Sequence, residues 1–239
     1  MNAMIFAAGL GTRLFPLTEH SPKALVQFNG QPLISYALDK AIEAGAIRIV
    51  VNVHHFADQI KTYLKQYPNK NVEIIVSDET EQLLETGGGL LFAKKHFIKN
   101  EPILILNSDV VTTANLSEMV QLHNQSKCVA TLMVADRETQ RYFLFNKEGR
   151  LCGWENRTTK ERIIVTESPN LESWAFNGIQ IVNYELLLLL GETRKFSITQ
   201  GYLNIAAQHP IRSWRNWKGQ WFDIGTIDKL NSAETQLKR

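Results

Sequence analysis

The sequence predicts an α/β protein, a three-layer α/β/α sandwich around a mostly parallel central sheet with small β-hairpin insertions. Three observations point there. Short apolar runs alternate with helical patterns through residues 1–135. Those runs are continuous rather than alternating, as strands are when helices cover both faces. Strand–helix repetition at this spacing implies right-handed crossovers, which lay successive strands parallel.

Taken in order, Ala3–Ala8 reads as the first strand. Leu33, Ile34, Ala37, Leu38, Ala41 and Ile42 recur at helical spacing, with Pro32 at the start and Gly45 as the stop. Ile47–Val53 is a strand, Phe56–Tyr67 a helix ended by Pro68, and Val72–Val76 a third strand. A helix from about Gly88 to Phe97, a strand at Ile103–Leu106, a helix at Leu116–Asn124 and a strand at Cys128–Ala135 follow. Beyond residue 135 the rhythm changes. Arg141–Asn146 and Arg150–Glu155 flank Lys147-Glu148-Gly149 as a hairpin. Ser173–Val182 is a strand, while Tyr184–Leu190 and Ile198–Ala207 read as helical. Ile211–Trp217 and Gln220–Ile224 suggest a second hairpin about Lys218-Gly219, and Thr226–Leu237 a closing helix. No linker, low-complexity tract or repeat divides the chain, so it reads as one domain, 1–239.

Composition excludes several classes. Lys and Arg total 26 against 24 Asp and Glu, and no basic run is clustered, so nothing marks a nucleic-acid or acidic-membrane surface. The longest apolar run, Leu186–Leu190, is far short of the ~20 residues of a membrane span. No charged segment precedes a long apolar stretch at the N-terminus, so no signal peptide is expected. Cys128 and Cys152 lack metal-type spacing and read as buried, reduced thiols. The expectation is a cytoplasmic protein, monomeric or a small homo-oligomer, without nucleic-acid or membrane partners.

The chemistry concentrates after the first strand. Ala8, Gly9, Leu10, Gly11 and Thr12 form a glycine-bearing loop that carries Arg13 and leads to Lys23. Backbone N–H groups freed from Cβ crowding can form a concave anion site, to which the cations add charge. The loop reads as a phosphate cradle. A dinucleotide fingerprint would place glycine where Leu14 stands and an acid after the second strand, where Asn52, His54 and His55 stand. The lysine–serine/threonine ending of a P-loop is absent. Ligands of parallel sheets lie beyond the carboxyl ends of the strands, and the loop and Asp109 both fall on that edge.

What remains, Ala7-Ala8-Gly9-Leu10-Gly11-Thr12-Arg13-Leu14-Phe15-Pro16-Leu17-Thr18 with Pro22-Lys23-Ala24-Leu25 and Gln31-Pro32-Leu33-Ile34, resembles the sugar-1-phosphate nucleotidylyltransferase family. The resemblance implies a Rossmann-like fold of the nucleotide-diphospho-sugar transferase type. Residues 1–135 would be a nucleotide-binding half and 136–239 a sugar-binding half, with the C-terminal helix returning to the core. It implies Mg²⁺-dependent transfer of a nucleoside monophosphate from an NTP to a sugar 1-phosphate. In that chemistry the loop and Arg13 would hold the departing phosphates, and Lys23 would sit by the reacting ones. Asp109, in Asn107-Ser108-Asp109, matches the family's metal carboxylate and would also meet the nucleotide. Asp223, in Asp-Ile-Gly-Thr, matches the second metal ligand; a helix cap is the other reading, although Thr226 can serve as the cap itself.

Gly87 and Gly88, in Leu84-Glu85-Thr86-Gly87-Gly88-Gly89, match the base-recognition loop; a flexible helix start would also explain them. That triple glycine is most similar to the bacterial N-acetylmuramate-α-1-phosphate uridylyltransferases of peptidoglycan recycling, which implies UTP and N-acetylmuramic acid 1-phosphate. Mannose 1-phosphate with GTP, and glucose 1-phosphate with dTTP or UTP, are the alternatives. A regulatory homologue without chemistry is disfavoured, since Arg13, Lys23, Asp109 and Asp223 are all present. On the sugar side the resemblance points to Asn107, Asn177, Gly178 and Glu155. Asn177 could equally end a strand. Glu155 could accept from sugar hydroxyls and Arg157 could meet a phosphate or a lactyl carboxylate, or both could be solvated; Asn156 stands where many relatives carry the lysine that grips the sugar, which leaves the sugar's identity open. His54 and His55 read as polar residues opening a helix.

Overall fold

The computed structural model describes residues 1–68 and 71–237. The strands of the first half are β1 (Asn2–Phe6), β2 (Gln27–Phe28), β3 (Gln31–Pro32), β4 (Arg48–Val53), β5 (Glu73–Asp78), β6 (Ile103–Asn107), β7 (Val110–Thr112) and β8 (Ala130–Ala135). Those of the second are β9 (Arg141–Phe145), β10 (Leu151–Asn156), β11 (Glu161–Ile164), β12 (Glu172–Val182), β13 (Ile211–Trp214) and β14 (Trp221–Asp223). The helices are α1 (Leu33–Glu43), α2 (Ala57–Gln66), α3 (Glu85–Phe92), α4 (Leu116–Gln125), α5 (Leu186–Leu189), α6 (Ile198–Ile205) and α7 (Ile227–Leu237).

The main sheet runs β11-β10-β9-β12-β6-β1-β4-β5, with β8 on β12 and β13 on β8. Strands β5, β4, β1 and β6 are mutually parallel, whereas β12 runs against β6, β8 and β9. The parallel register aligns the strand ends. Phe6 pairs with Asn52 on one side and Asn107 on the other, so three strands finish their carboxyl ends side by side.

Both faces of the sheet are packed, which accounts for the unbroken apolar runs. Ala3, Ile5, Val51 and Leu106 face Leu38, Ala41, Ile60 and Met119 of the α1, α2 and α4 layer. Met4, Val50 and Ile105 face Leu90, Leu187 and Tyr202 of the α3, α5 and α6 layer. Burial of each such aliphatic side chain stabilises by about 1.5–3 kcal/mol. A third, smaller core joins Leu14 of the glycine loop to Val26, Phe28, Leu33, Val111 and Ile224, and to Leu230 and Ala233 of α7.

The hairpin expected about Lys218-Gly219 does not form. β13 pairs in parallel with β8, and β14 pairs antiparallel with β7 as a separate two-stranded sheet. The segment between them spends its backbone groups elsewhere: Gln220 N–H donates to Thr113 Oγ1 (2.8 Å), and Thr113 N–H donates to the Gln220 carbonyl (3.0 Å). Gly219 (φ +121°) lies so close to residue 114 that a Cβ would stand 2.9 Å from the Ala114 nitrogen. The hairpin β9–β10 forms as expected.

α3 begins at Glu85, three residues before the expected start, so all three glycines lie inside it. Their smallness has a packing cause. A Cβ on Gly87 would stand 2.5 Å from the Phe196 ring, and one on Gly88 2.2 Å from the Arg194 carbonyl oxygen. The N–H groups of Gly87 and Gly88 both donate to the Phe196 carbonyl, at 2.9 and 3.2 Å. Gly88→Ala is therefore expected to destabilise by about 1–3 kcal/mol through overpacking against backbone. Gly9→Ala, where a Cβ meets nothing within 4 Å, should stay within about 0.5 kcal/mol of the parent. Urea midpoints of the two variants check this; equal midpoints would refute the packing account.

Candidate active site

The in-register ends of β4, β1 and β6 present Asn52, Phe6 and Asn107 to one cavity of about 380 Å³. Ala7, Ala8, Gly9 and Lys23 close one part of it, Asn107, Ser108 and Asp109 a second, and Glu79, Glu85 and Thr86 a third. Most of its residues therefore sit where parallel strands give way to loops, at the sheet edge where ligands of open α/β sheets bind.

The glycine loop is fixed at both ends. At its start, Ala7 N–H donates to Asn52 Oδ1 (2.9 Å). At its turn, Gly11 takes φ +70°, and a Cβ there would stand 3.0 Å from both Lys23 Cβ and Thr18 Cγ2. Glycine at 11 thus lets the loop close on the lysine segment, and Thr18 Oγ1 donates to the Gly11 carbonyl (2.9 Å). Between these anchors Gly9, Leu10, Thr12 and Arg13 are exposed. Leu14 points the other way, into the third core.

Lys23 Nζ donates to Asp109 Oδ2 in an ion pair whose side chains are only 13% and 19% exposed. Asp223 lies on the neighbouring two-stranded sheet. It pairs with Val110, Ile224 N–H donates to the Asp109 carbonyl (2.8 Å), and Lys229 holds its carboxylate. A Cβ on Gly225 would stand 2.9 Å from Asp223 Oδ1 and 3.3 Å from Arg13 Nη2, so both side chains crowd that bare stretch of backbone. Neither Asp223 nor Arg13 lines the cavity, and Asp223 opens on a separate groove beside Arg137 and Trp221. Thr226 caps α7, its hydroxyl accepting from Lys229 N–H (3.4 Å), which leaves Asp223 free of that duty.

Among the described residues no three metal-type side chains converge. Two carboxylates, Asp109 in the turn before β7 and Asp223 at the end of the paired strand β14, nonetheless suit Mg²⁺, which usually takes one or two protein carboxylates and completes its shell with water and substrate oxygens.

The other candidate residues divide. Gly178 (φ +74°) and Asn177 sit at an irregularity between Phe176 and Gln180, where β12 shifts register against β8. A Cβ on Gly178 would stand 2.7 Å from Asn107 Nδ2, so this kink abuts the cavity wall. Glu155 lies away from the cavity and accepts from Ser173 Oγ (3.0 Å) and Arg157 Nε (3.1 Å), while Arg157 stacks on Tyr142. Asn156 caps the turn after β10 by accepting from the N–H groups of Thr158 and Thr159. Gly87 and Gly88 face Phe196 and Arg194, and their neighbours Glu85 and Thr86 reach the cavity.

Asn52 and Glu79 were missed by sequence reasoning, although their positions at the ends of β4 and β5 carried the same edge signal as Asp109. Glu79 is 3% exposed and accepts from Asn52 Nδ2 (2.8 Å) and, more weakly, from Leu84 N–H. His54 Nδ1 lies 2.6 Å from the Glu79 backbone carbonyl, which can only accept, so that nitrogen donates. Gly89 makes room for the carboxylate, since a Cβ there would stand 2.6 Å from Glu79 Oε1. Burial pushes the Glu79 carboxyl above its ordinary value, against the hydrogen bonds from Asn52 and Leu84 and the nearby His54.

A glycine-bearing loop, a partly buried lysine–carboxylate pair and a cavity at a parallel sheet edge define an α/β protein with the ligand-site geometry of open sheets. The chain belongs to the Nucleotidyl transferase family, whose model matches residues 2–239. It is 43% identical over 111 residues to the N-acetylmuramate alpha-1-phosphate uridylyltransferase of Caulobacter vibrioides, covering 46% of each chain. It is 32% identical to the mannose-1-phosphate guanylyltransferase catalytic subunit beta of Drosophila pseudoobscura pseudoobscura, over 94% of this chain and 59% of that one. The chain thus spans about half to three-fifths of the length of these relatives. Its fold is similar to UDP-glucose pyrophosphorylase from Acinetobacter baumannii (TM-score 0.78, 22% identity, 98% of this chain and 92% of that one). A putative glucose-1-phosphate thymidylyltransferase from Bacillus anthracis is similar too, with TM-score 0.83, 16% identity and 99% and 94% coverage. No helix among the described residues is long and apolar enough to cross a membrane.

The raised Glu79 pKa has a pH signature. A carboxyl raised on folding keeps its proton longer in the native state, so its favourable contribution is complete below the unfolded value, 4.5, and is lost as pH rises through the folded value. Glu79→Gln should flatten the decline of stability just above pH 4.5, as read from urea midpoints across pH. An unchanged slope would show that Glu79 titrates normally.

Proposed function

We propose that the protein transfers a nucleoside monophosphate from an NTP to a sugar 1-phosphate, releasing pyrophosphate. The observation that carries this reading is the Lys23–Asp109 pair set against the glycine loop in one cavity at the sheet edge. The N–H groups about Gly9 and Gly11, with Arg13, bind the β- and γ-phosphates. Lys23 meets the α-phosphate. An oxygen of the sugar phosphate attacks the α-phosphorus in line, the bond to the bridging oxygen breaks, and its electrons leave with pyrophosphate. The attacking phosphate is already ionised, so no general base and no covalent enzyme intermediate are required. Such transfers depend mainly on positioning and on neutralising oxygen charge, which cations and N–H donors supply. Asp109 and Asp223 hold Mg²⁺, which when bound neutralises phosphate charge. Lys23 and Lys229 keep the two carboxylates paired in the free protein.

The base enters the cavity toward Asn52, Glu79, Glu85 and Thr86. UTP and N-acetylmuramic acid 1-phosphate are the first substrates proposed, supported by the 43% identity over the matched half and by the Leu-Glu-Thr-Gly-Gly-Gly run. GTP with mannose 1-phosphate is the second reading, favoured by the longer match, 94% of this chain, to relatives of that name. The protein acts in the cytoplasm, where NTPs are supplied.

Pyrophosphate release over a grid of NTPs and sugar 1-phosphates, with and without Mg²⁺, tests the reading. The expected result is Mg²⁺-dependent release with one preferred pair; background release throughout would sink it. Lys23→Met and Asp109→Asn should each lower turnover by about 100-fold or more, the scale of a lost electrostatic contact to the reacting phosphates. Asp223→Asn should do the same while the urea midpoint holds. Full activity in any of the three would remove that residue from the mechanism.

A further inference from the structure

Outside the cavity, one group of side chains is left without the partners its burial calls for. Arg137 follows β8 and is half-buried, with its guanidinium carbon 4.5 Å from the centroid of the Trp221 ring. Its Nε donates to Asn177 Oδ1 (3.1 Å) and its Nη2 to the Phe176 carbonyl (2.7 Å). Both acceptors are neutral, and among the described residues no carboxylate forms an ion pair with it. Asp223, the nearby acid, is held by Lys229 instead. A partly desolvated cation bonded only to neutral oxygens is costly, and an opposite charge recovers that cost.

The second observation is independent of the first. Asn177 is 1% exposed, and its Nδ2 has no acceptor. A buried amide donor left unmatched costs about 1–3 kcal/mol. The residue's other groups are committed, Oδ1 to Arg137 and the backbone carbonyl to Trp221 Nε1 (2.9 Å). Two neighbouring residues thus carry donors that the chain itself does not satisfy. Arg137 and Trp221 open on a groove of about 400 Å³ that also exposes Asp223 and Lys229. Through Gly178 and Asn107, the same group abuts the cavity of the proposed nucleotide site.

We propose that Arg137, positioned by Asn177 and Trp221, is an oxyanion receptor for the acceptor substrate. It would grip a phosphate or carboxylate of the sugar compound with the N–H groups its own chain leaves unused. A guanidinium fork suits such planar, paired oxygens better than an ammonium does. This rests on the nucleotidyl-transfer reading for the identity of the acceptor, though not for the existence of the receptor.

Calorimetric titration of the whole chain tests it, with UTP, glucose 1-phosphate and glucuronate as probes, on the parent, Arg137→Gln, Arg137→Lys and Asn177→Asp. The parent should bind glucose 1-phosphate, glucuronate or both. Arg137→Gln should weaken that binding at least about tenfold and leave UTP unaffected, the size expected for one charge-assisted contact. Arg137→Lys should recover only part. Asn177→Asp, which supplies an internal carboxylate, should compete with the anion and weaken it as well. Loss confined to glucose 1-phosphate assigns the receptor to phosphate, and loss confined to glucuronate assigns it to a carboxylate. Parent-like anion affinity in Arg137→Gln, or no anion binding by the parent, overturns the proposal. Should Arg137→Gln lose UTP binding too, Arg137→Lys decides, and parent affinity there overturns it. Arg137-dependent anion binding without pyrophosphate release would sink the proposed reaction and leave the receptor standing.

Discussion

The ion pair between Lys23 and Asp109 is the contact on which the site's geometry depends. It joins the segment after the glycine loop to the end of the central strand β6, across 86 residues of sequence. Both side chains are largely withdrawn from water. Removing one partner from such a pair leaves an uncompensated charge, at a cost of about 3–5 kcal/mol for a buried pair and less here, where some solvent reaches both. The pair therefore ties the loop to the sheet edge. Gly11 is bare because Lys23 Cβ and Thr18 pack against it, and Ala7 is held from the other side by Asn52. The chain spends a charge pair, a buried amide and a left-handed glycine to keep a short exposed loop in one shape.

Much of this was legible because it is local or periodic. Continuous apolar runs located β1, β4, β6 and β8 to within two residues at either end, since burial on both faces leaves no other pattern. The glycine loop and Asp109 were legible together because ligands of parallel sheets lie at one edge and each follows a strand, and Lys23 because it stands in the Pro-Lys motif of the family resemblance. The same rule covers Asn52 and Glu79, which were missed because neither belongs to a short motif. Their joint burial depends on Gly89, a residue of a different element, which leaves space for the carboxylate.

What was illegible is tertiary. Lys218-Gly219 has the composition of a hairpin turn, yet Thr113 takes the backbone bonds a hairpin would have used, and no local signal encodes Thr113's position. The triple glycine has a packing cause that no local pattern shows: Gly87 meets the Phe196 ring and Gly88 the Arg194 carbonyl, both more than a hundred residues away, and Gly89 meets the Glu79 carboxylate. Arg137 sits in a stretch with no motif at all, and its burial follows from the kink at Asn177–Gly178 and from β14 carrying Trp221 across to it.

The third core explains how such distant pieces come to share one edge. Leu14 leaves the exposed loop to pack with Val111, Ile224 and the α7 residues Leu230 and Ala233. Val111 and Ile224 belong to the segments that carry Asp109 and Asp223, and Asp223 pairs in register with Val110. A single apolar cluster thus sets the spacing among the loop, both carboxylates and the C-terminal helix. Loosening it at Leu230 would displace the two-stranded sheet β7–β14 together with Leu14, and with them the tertiary support that Arg13 and Asp223 have in common. Hydrophobic packing on the far side of the loop thus positions the backbone that carries the outer charges, while Lys229 holds the Asp223 carboxylate itself. The polar contacts can then remain sparse and open, which is what a site that must receive and release a highly charged ligand requires.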